Sequence, residues 1–255
     1  MDYRDLHLKI VTGIRDYMGK AGFKQAVIGL SGGIDSSLTL KLAVDALGCE
    51  NVYGILMPEL ALSKRENIEH AEKLAKMLGV NSVKVPINRF LIEFSNLPWN
   101  LDETSGLKLA NMNVKARVRA NILYHFANSY NCLVFGTSNL SETLLGYGTK
   151  YGDLAADLEI IGSLYKTEVR GLAKFLSLPD EIITKPPSAE LYENQTDSDE
   201  LGADYELLDQ ILVNLDKGEV GLIELGFDPG LVRDVLYRVK SNKHKTVMPK
   251  IISID

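Results

Sequence analysis

"VIGLSGGIDSS", Val27 to Ser37, sets an apolar run against two adjacent glycines, then an aspartate and two serines. The order is that of a buried strand ending where a helix begins. At such a junction, backbone N–H groups meet an anion at the positive end of the helix. Gly29, Leu30 and Ser31 lead into the turn, and Gly32 and Gly33 remove side chains that would block close approach to a phosphate. Ser31, Ser36 and Ser37 supply hydroxyl donors around Ile34. Asp35 is the odd member, because a carboxylate repels phosphate unless a cation such as Mg2+ lies between them. The loop is neither a Walker A sequence nor G-x-G-x-x-G. A tight turn with a serine or aspartate helix cap is the plainer alternative.

The same alternation continues outward. Leu6, Ile10, Ile14 and Tyr17 recur at helical spacing, in a helix expected to end near Gly19. "QAVIGL" (25–30), "NVYGILMP" (51–58), "SVKVPI" (82–87) and "CLVFGT" (132–137) read as strands. Helical patterns fall at 35–47, at Ile68, Ala71, Ala75 and Leu78, and over 107–128. Strands alternating with helices predict an α/β fold, a mostly parallel sheet flanked by helices on both faces. Ligands in such sheets bind beyond the carboxyl ends of the strands. The expected organisation is one domain over 1–255, with a nucleotide-binding core at about 20–180 and a C-terminal lid and helices at about 181–255. Residues 138–165 read as contact-making loops, and the polar, proline-containing 185–202 as a lid or mobile loop. Asp228-Pro229 makes a cap and first turn for a last helix.

Composition narrows the function. There are 28 basic and 34 acidic side chains, a net charge of −6, which argues against a broad nucleic-acid surface. Cys49 and Cys132 lack metal-ligand spacing and fit a reducing compartment. Nothing in the sequence spans a membrane and the start is not a signal sequence, so a cytoplasmic protein is expected.

The string S-G-G-x-D-S resembles the PP-loop of the N-type ATP pyrophosphatases, which cleave ATP between its α and β phosphates. "NVKARVR" (113–119), "GTSNLSE" (136–142), "GYGTKYGDLAAD" (146–157) and "LYKTEV" (164–169) are similar to NAD synthetase motifs, in that family's order. "LPDEIITKPPSAEL" (178–191) and "KHK" (243–245) extend the likeness over nearly the whole chain. The resemblance is to the ammonia-dependent type, since no amidase domain fits. It implies amidation of nicotinic acid adenine dinucleotide (deamido-NAD) by ammonia through an adenylated carboxylate, giving NAD, AMP and pyrophosphate. It also implies Mg2+, ATP as co-substrate and a homodimer.

Residue by residue, the resemblance places Mg2+ on Asp35 and Glu142. It places ATP on the 29–36 loop, Thr137, Lys166 and Ser188, the last a serine where the family usually has threonine. For deamido-NAD it points to Arg117, Lys150, Asp157, His244 and Lys245. Arg119, on the other side of the Val114-Val118-Ile122 stripe from Arg117, reads as a solvated surface charge. Asp153 is either the group that positions or deprotonates ammonia or a loop cap. Another PP-loop ligase, such as a tRNA-thiolating one, would want basic surface and a reactive cysteine. A nucleotide sensor would not need Asp35, Glu142 and Lys166 together.

Overall fold

The computed structural model describes residues 1–99, 105–188, 190–192 and 195–254. Five parallel strands stand in the order β3-β2-β1-β4-β5. They are β1 (Gln25–Gly29), β2 (Val52–Leu56), β3 (Asn81–Lys84), β4 (Cys132–Gly136) and β5 (Leu158–Glu159). The connecting helices are α1 (Tyr3–Ala21), α2 (Ile34–Leu47), α3 (Arg65–Met77), α4 (Asn88–Ser95), α5 (Ser105–Tyr130), α6 (Leu140–Leu145) and α7 (Lys166–Phe175). After them come α8 (Asp180–Ile183), α9 (Asp197–Leu201), α10 (Tyr205–Val213), α11 (Gly218–Glu224) and α12 (Pro229–Asn242).

The buried positions of the central strands β1 and β4 are apolar throughout because both faces are covered. Ala26 and Ile28 of β1, with Leu133 and Phe135 of β4, pack towards α1, α2 and α7. Their neighbours Val27, Cys132 and Val134 turn to the other face, against Val118 and Ala127 of α5. The period of two that defines a strand therefore divides one sequence run between two cores. A third apolar cluster joins Leu145 of α6 to Tyr205, Leu208, Val232 and Val235 of the C-terminal helices.

Several boundaries differ from the sequence expectation. Helix α1 runs through Gly19 to Ala21 and stops where Gly22 turns left-handed at φ 77°. Strand β3 ends at Lys84 rather than Ile87, since Pro86 has no N–H to give the ladder. The stretch 138–165 is not all loop: it holds α6 and the two-residue β5, which pairs with Phe135 and Gly136. Of the expected 185–202 loop, Asp197–Leu201 is helical, with the Thr196 hydroxyl accepting Asp199 N–H at 3.2 Å. Positions 189, 193 and 194 of that expectation lie outside the described residues. Asp228 caps α12 as read, its carboxylate accepting Leu231 N–H at 2.8 Å. No described helix is long and apolar enough to cross a membrane.

From β1 the chain proceeds to β2 and β3 on one side, then returns to place β4 on the other. The carboxyl ends of β1 and β4 therefore diverge, leaving a crevice where the strand order reverses.

Candidate active site

A cavity of about 710 Å3 fills that crevice. It is lined by the 29–36 loop, by the ends of β2 and β4, and by Pro186, Pro187 and Ser188.

The loop has the shape a phosphate cradle requires. Gly32 holds φ +79°, and a Cβ there would lie 2.1 Å from the carbonyl oxygen of Asn67. No side chain fits against that backbone atom. The Ser31 hydroxyl accepts the Gly33 N–H at 3.1 Å and meets the Ser36 hydroxyl at 3.0 Å, which fixes the turn. Gly33 starts α2 without a side-chain cap, so the first-turn N–H groups are not taken by a capping side chain. Gly32→Ala combines a left-handed backbone cost of about 1–2 kcal/mol with that overlap. It is expected to lower the thermal midpoint by at least about 4 °C and to weaken ATP binding, as calorimetry on the purified variant will read.

A buried charge cluster adjoins the loop through Asp35. Lys166 is 1% exposed, and its Nζ lies 2.6 Å from Asp35 Oδ2 and 2.8 Å from Glu142 Oε1. Three elements bring these groups together. Asp35 stands in the first turn of α2. Glu142 closes a capping box with Asn139 at the start of α6, and Asn139 Nδ2 also donates to Asp35 Oδ1 at 2.9 Å. Lys166 opens α7, whose first N–H groups donate to Ser141 Oγ and Asp209 Oδ2, both at 2.9 Å. Burial alone would lower the Lys166 ammonium, but the two carboxylates outweigh it and hold it above the ordinary lysine range. Burial pushes the Glu142 carboxyl up to about 7, against the pull of Lys166.

Among the described residues, no group of three or more His, Cys, Asp or Glu side chains could hold a metal ion. Mg2+ does not need such a cage, because one or two carboxylates plus substrate phosphates usually hold it. Asp35 and Glu142, two hard oxygen donors that share Lys166 at the edge of this cavity, fit that donor set.

Thr137, Asp153, Ser188 and Lys245 also line the cavity. Asp153 opens onto it on one side, while protein encloses the other and pushes its carboxyl up. One of its oxygens accepts the Thr149 N–H at 2.9 Å, so the loop-cap geometry is present together with the opening. Lys245 Nζ donates to Gly146 O at 2.8 Å, tying the C-terminal basic pair to the 146–153 loop.

Arg117, Lys150, Asp157 and His244 do not line the cavity. Three of them form a chain on its outside: Arg117 Nε donates to Lys150 O at 3.3 Å and Lys150 Nζ to His244 O at 2.7 Å. Asp157 closes the sheet edge instead, accepting Val134 N–H at 2.8 Å and the Tyr124 hydroxyl at 3.3 Å.

Arg119 is not the solvated charge its sequence position suggested. It lines the cavity, donates from Nε to Met57 O at 3.1 Å, and burial lowers its pKa. The reason is that α5 is covered on two sides, by the sheet along Val118 and by the cavity loops at Ala116 and Ala120. Two more groups escaped the sequence reading. Asn139 carried a legible signal, the N-x-x-E capping pattern. Asp197 carried none: it is 3% exposed and accepts the Tyr147 and Tyr205 hydroxyls, each at 3.1 Å. The Tyr205 ring in turn lies 5.1 Å from Lys166 Nζ.

An NAD synthase family model matches residues 6–249. The chain belongs to the NAD synthase family. The NH3-dependent NAD+ synthetase of Methanococcoides burtonii is 44% identical over 249 residues, 95% of this chain and 94% of that one. That of Methanocaldococcus jannaschii is 44% identical over 244 residues, 94% and 93% of the two chains. Among solved structures, the NH3-dependent NAD synthetase of Campylobacter jejuni superposes with a TM-score of 0.82 at 34% identity, over 99% of this chain and 100% of that one. The NMN synthetase of Francisella tularensis gives 0.87 at 28% identity, over the whole of both chains. The fold expected for an NAD synthase is thus the fold found, a parallel five-stranded sheet between helical layers.

Proposed function

We propose that this chain amidates deamido-NAD with ammonia, consuming ATP and releasing NAD, AMP and pyrophosphate. The observation that carries the reading is the uncapped glycine loop joined, in one cavity, to the Lys166–Asp35–Glu142 cluster. A carboxylate is a poor acyl electrophile, so its oxygen must first become part of a leaving group. In the first step a carboxylate oxygen of the nicotinate bonds to the α-phosphorus of ATP and the bond to the β-phosphate bridge breaks, freeing pyrophosphate. In the second, the ammonia nitrogen bonds to the acyl carbon, AMP departs with the shared oxygen, and one nitrogen proton is given up.

Charge gathers on phosphate oxygens in the first step. Loop N–H groups and the Lys166 ammonium are already oriented to meet it, which is where preorganised donors accelerate most. Asp35 and Glu142 would hold Mg2+, which supplies further charge neutralisation when bound. Ser31, Ser36, Thr137 and Ser188 are hydroxyl donors lining the same cavity, suited to phosphate oxygens. Asp153, with its carboxyl raised and open to the cavity, is suited to take the ammonia proton.

The assay that tests the reading combines protein, deamido-NAD, ATP, Mg2+ and ammonium, with products read by mass spectrometry. NAD and AMP are expected in equal amounts; ADP in place of AMP, or no amide, overturns it. The likeness to an NMN synthetase favours one second reading, with the mononucleotide acid as acceptor. Both acids in parallel decide between them through kcat/KM.

The raised Glu142 carboxyl predicts a pH limb. With free ammonia held constant, turnover is expected to fall as pH drops through about 7, because protonated Glu142 neither pairs with Lys166 nor serves a cation. Its folded value lies above its unfolded one, so the folded state binds the extra proton. This group's share of stability therefore improves, not worsens, as pH falls from about 7 towards 4.5. Activity lost in parallel with unfolding on that limb would contradict the assignment.

The chain acts as a homodimer in this reading. Support comes from exposed apolar side chains along α4 and α5, among them Phe90, Ile92, Phe94 and Leu109. Light scattering on the purified protein tests it. Both cysteines are free, which fits a reducing cytoplasmic setting.

A further inference from the structure

Most cations of the cavity are held by acceptors. Lys166 has two carboxylates, Arg119 has Met57 O and Lys245 has Gly146 O. Lys185 differs. Its Nζ is sealed from solvent and has no hydrogen-bond partner among the described residues. Glu190 and Glu66 pull on it and Lys64 repels it, yet none of them bonds it. A buried ammonium without an acceptor costs free energy, so an acceptor brought by a ligand has a place waiting.

The backbone presents this side chain firmly. Ile182 of α8, three residues before, is 2% exposed in the main core. Pro186 and Pro187 follow directly and fix their own φ angles, so the position of Lys185 is set on both sides. It lines the same cavity as Ser31 and Gly33 of the glycine loop, Ser188 and the first turn of α2, whose start is uncapped. Two independent features thus call for one anion: helix N–H groups without a cap and an ammonium without an acceptor.

We propose that Lys185 binds the polyphosphate end of ATP and holds the pyrophosphate as it leaves. The assignment rests on the ligase reading above and adds a residue to its first step. Lys166 then meets phosphate beside Asp35 and Glu142, and Lys185 from the segment that carries Pro186 and Pro187. Its role ends when pyrophosphate departs, so the ammonia step is indifferent to it.

Calorimetric titration of inorganic pyrophosphate with Mg2+ into native protein, K185M and K185R tests this without requiring turnover. K185M is expected to bind pyrophosphate about 10- to 100-fold more weakly, the worth of a charge-assisted contact, while K185R recovers most of it. KM for ammonia is expected to stay unchanged, and the melting temperature of K185M to equal or exceed the native value. Pyrophosphate binding by folded K185M within twofold of native overturns the proposal. So does a lowered melting temperature in both K185M and K185Q, which marks a structural lysine instead. If native protein binds pyrophosphate but forms neither amide, the ligase reading fails and the polyphosphate site stands. If the amide forms and K185M binds like native, only Lys185 fails. Native protein that binds no pyrophosphate overturns the Lys185 assignment whatever the amide assay gives.

Discussion

Lys166→Met is expected to lower turnover about 100- to 1,000-fold, the usual loss when one preorganised electrostatic donor is removed. The same change strands Asp35 and Glu142 beside each other with no cation between them. Breaking such a pair by removing one partner costs about 3–5 kcal/mol when fully buried; the lower end applies here because both carboxylates keep some exposure. The sign with pH follows directly. Without the ammonium, burial holds the Glu142 carboxyl higher in the folded state than in the unfolded one. The loss is therefore largest well above pH 7 and shrinks as Glu142 protonates at lower pH. Urea unfolding at pH 8 and pH 5.5 reads it, and a pH-independent loss would mean that Lys166 is only a packing residue. Adding Glu142→Gln should restore part of the stability at pH 8 and none of the activity.

Asp153→Asn separates two roles that the geometry superimposes. Asparagine keeps an oxygen to accept the Thr149 N–H that Asp153 accepts at 2.9 Å, so the loop cap survives. What disappears is the capacity to take a proton. We expect kcat/KM for ammonia to fall about 100-fold, within the range for a positioned base, while ATP–pyrophosphate exchange, which reports adenylation alone, stays close to native. Unchanged ammonia saturation would leave Asp153 as a cap and nothing more. Asp153→Ala, which loses the cap as well, should impair both half-reactions.

Much of the fold was legible because the centre of the sheet is dry on both faces. Residues 26–28 and 132–135 must be apolar without interruption, and a short apolar run closed by glycine has few other meanings. Asp35 was legible because its chemistry is unusual, since a carboxylate in a phosphate loop demands a cation, whereas Glu142 and Lys166 followed only from the family resemblance. Other parts had no local cause to read. A two-residue strand such as β5 exists only because β4 offers it an edge. Arg117 and Arg119 project about 200° apart on α5, and which of them meets the cavity depends on loops more than thirty residues further on. Asp197 and Lys185 look like ordinary surface charges until the chain folds back over the site.

The strand order has a consequence for synthesis. Gln25 pairs on one side with Cys132, more than a hundred residues later in the chain. At 5–20 residues per second, the ribosome delivers that partner roughly 5 to 20 s after β1 emerges. For that interval the strand at the centre of the sheet has one ladder of N–H and C=O groups open to other nascent chains. Slowing translation between these two segments with synonymous codons should therefore lower soluble yield without changing a single residue, whereas the same pause placed after Gly136 should leave it unchanged.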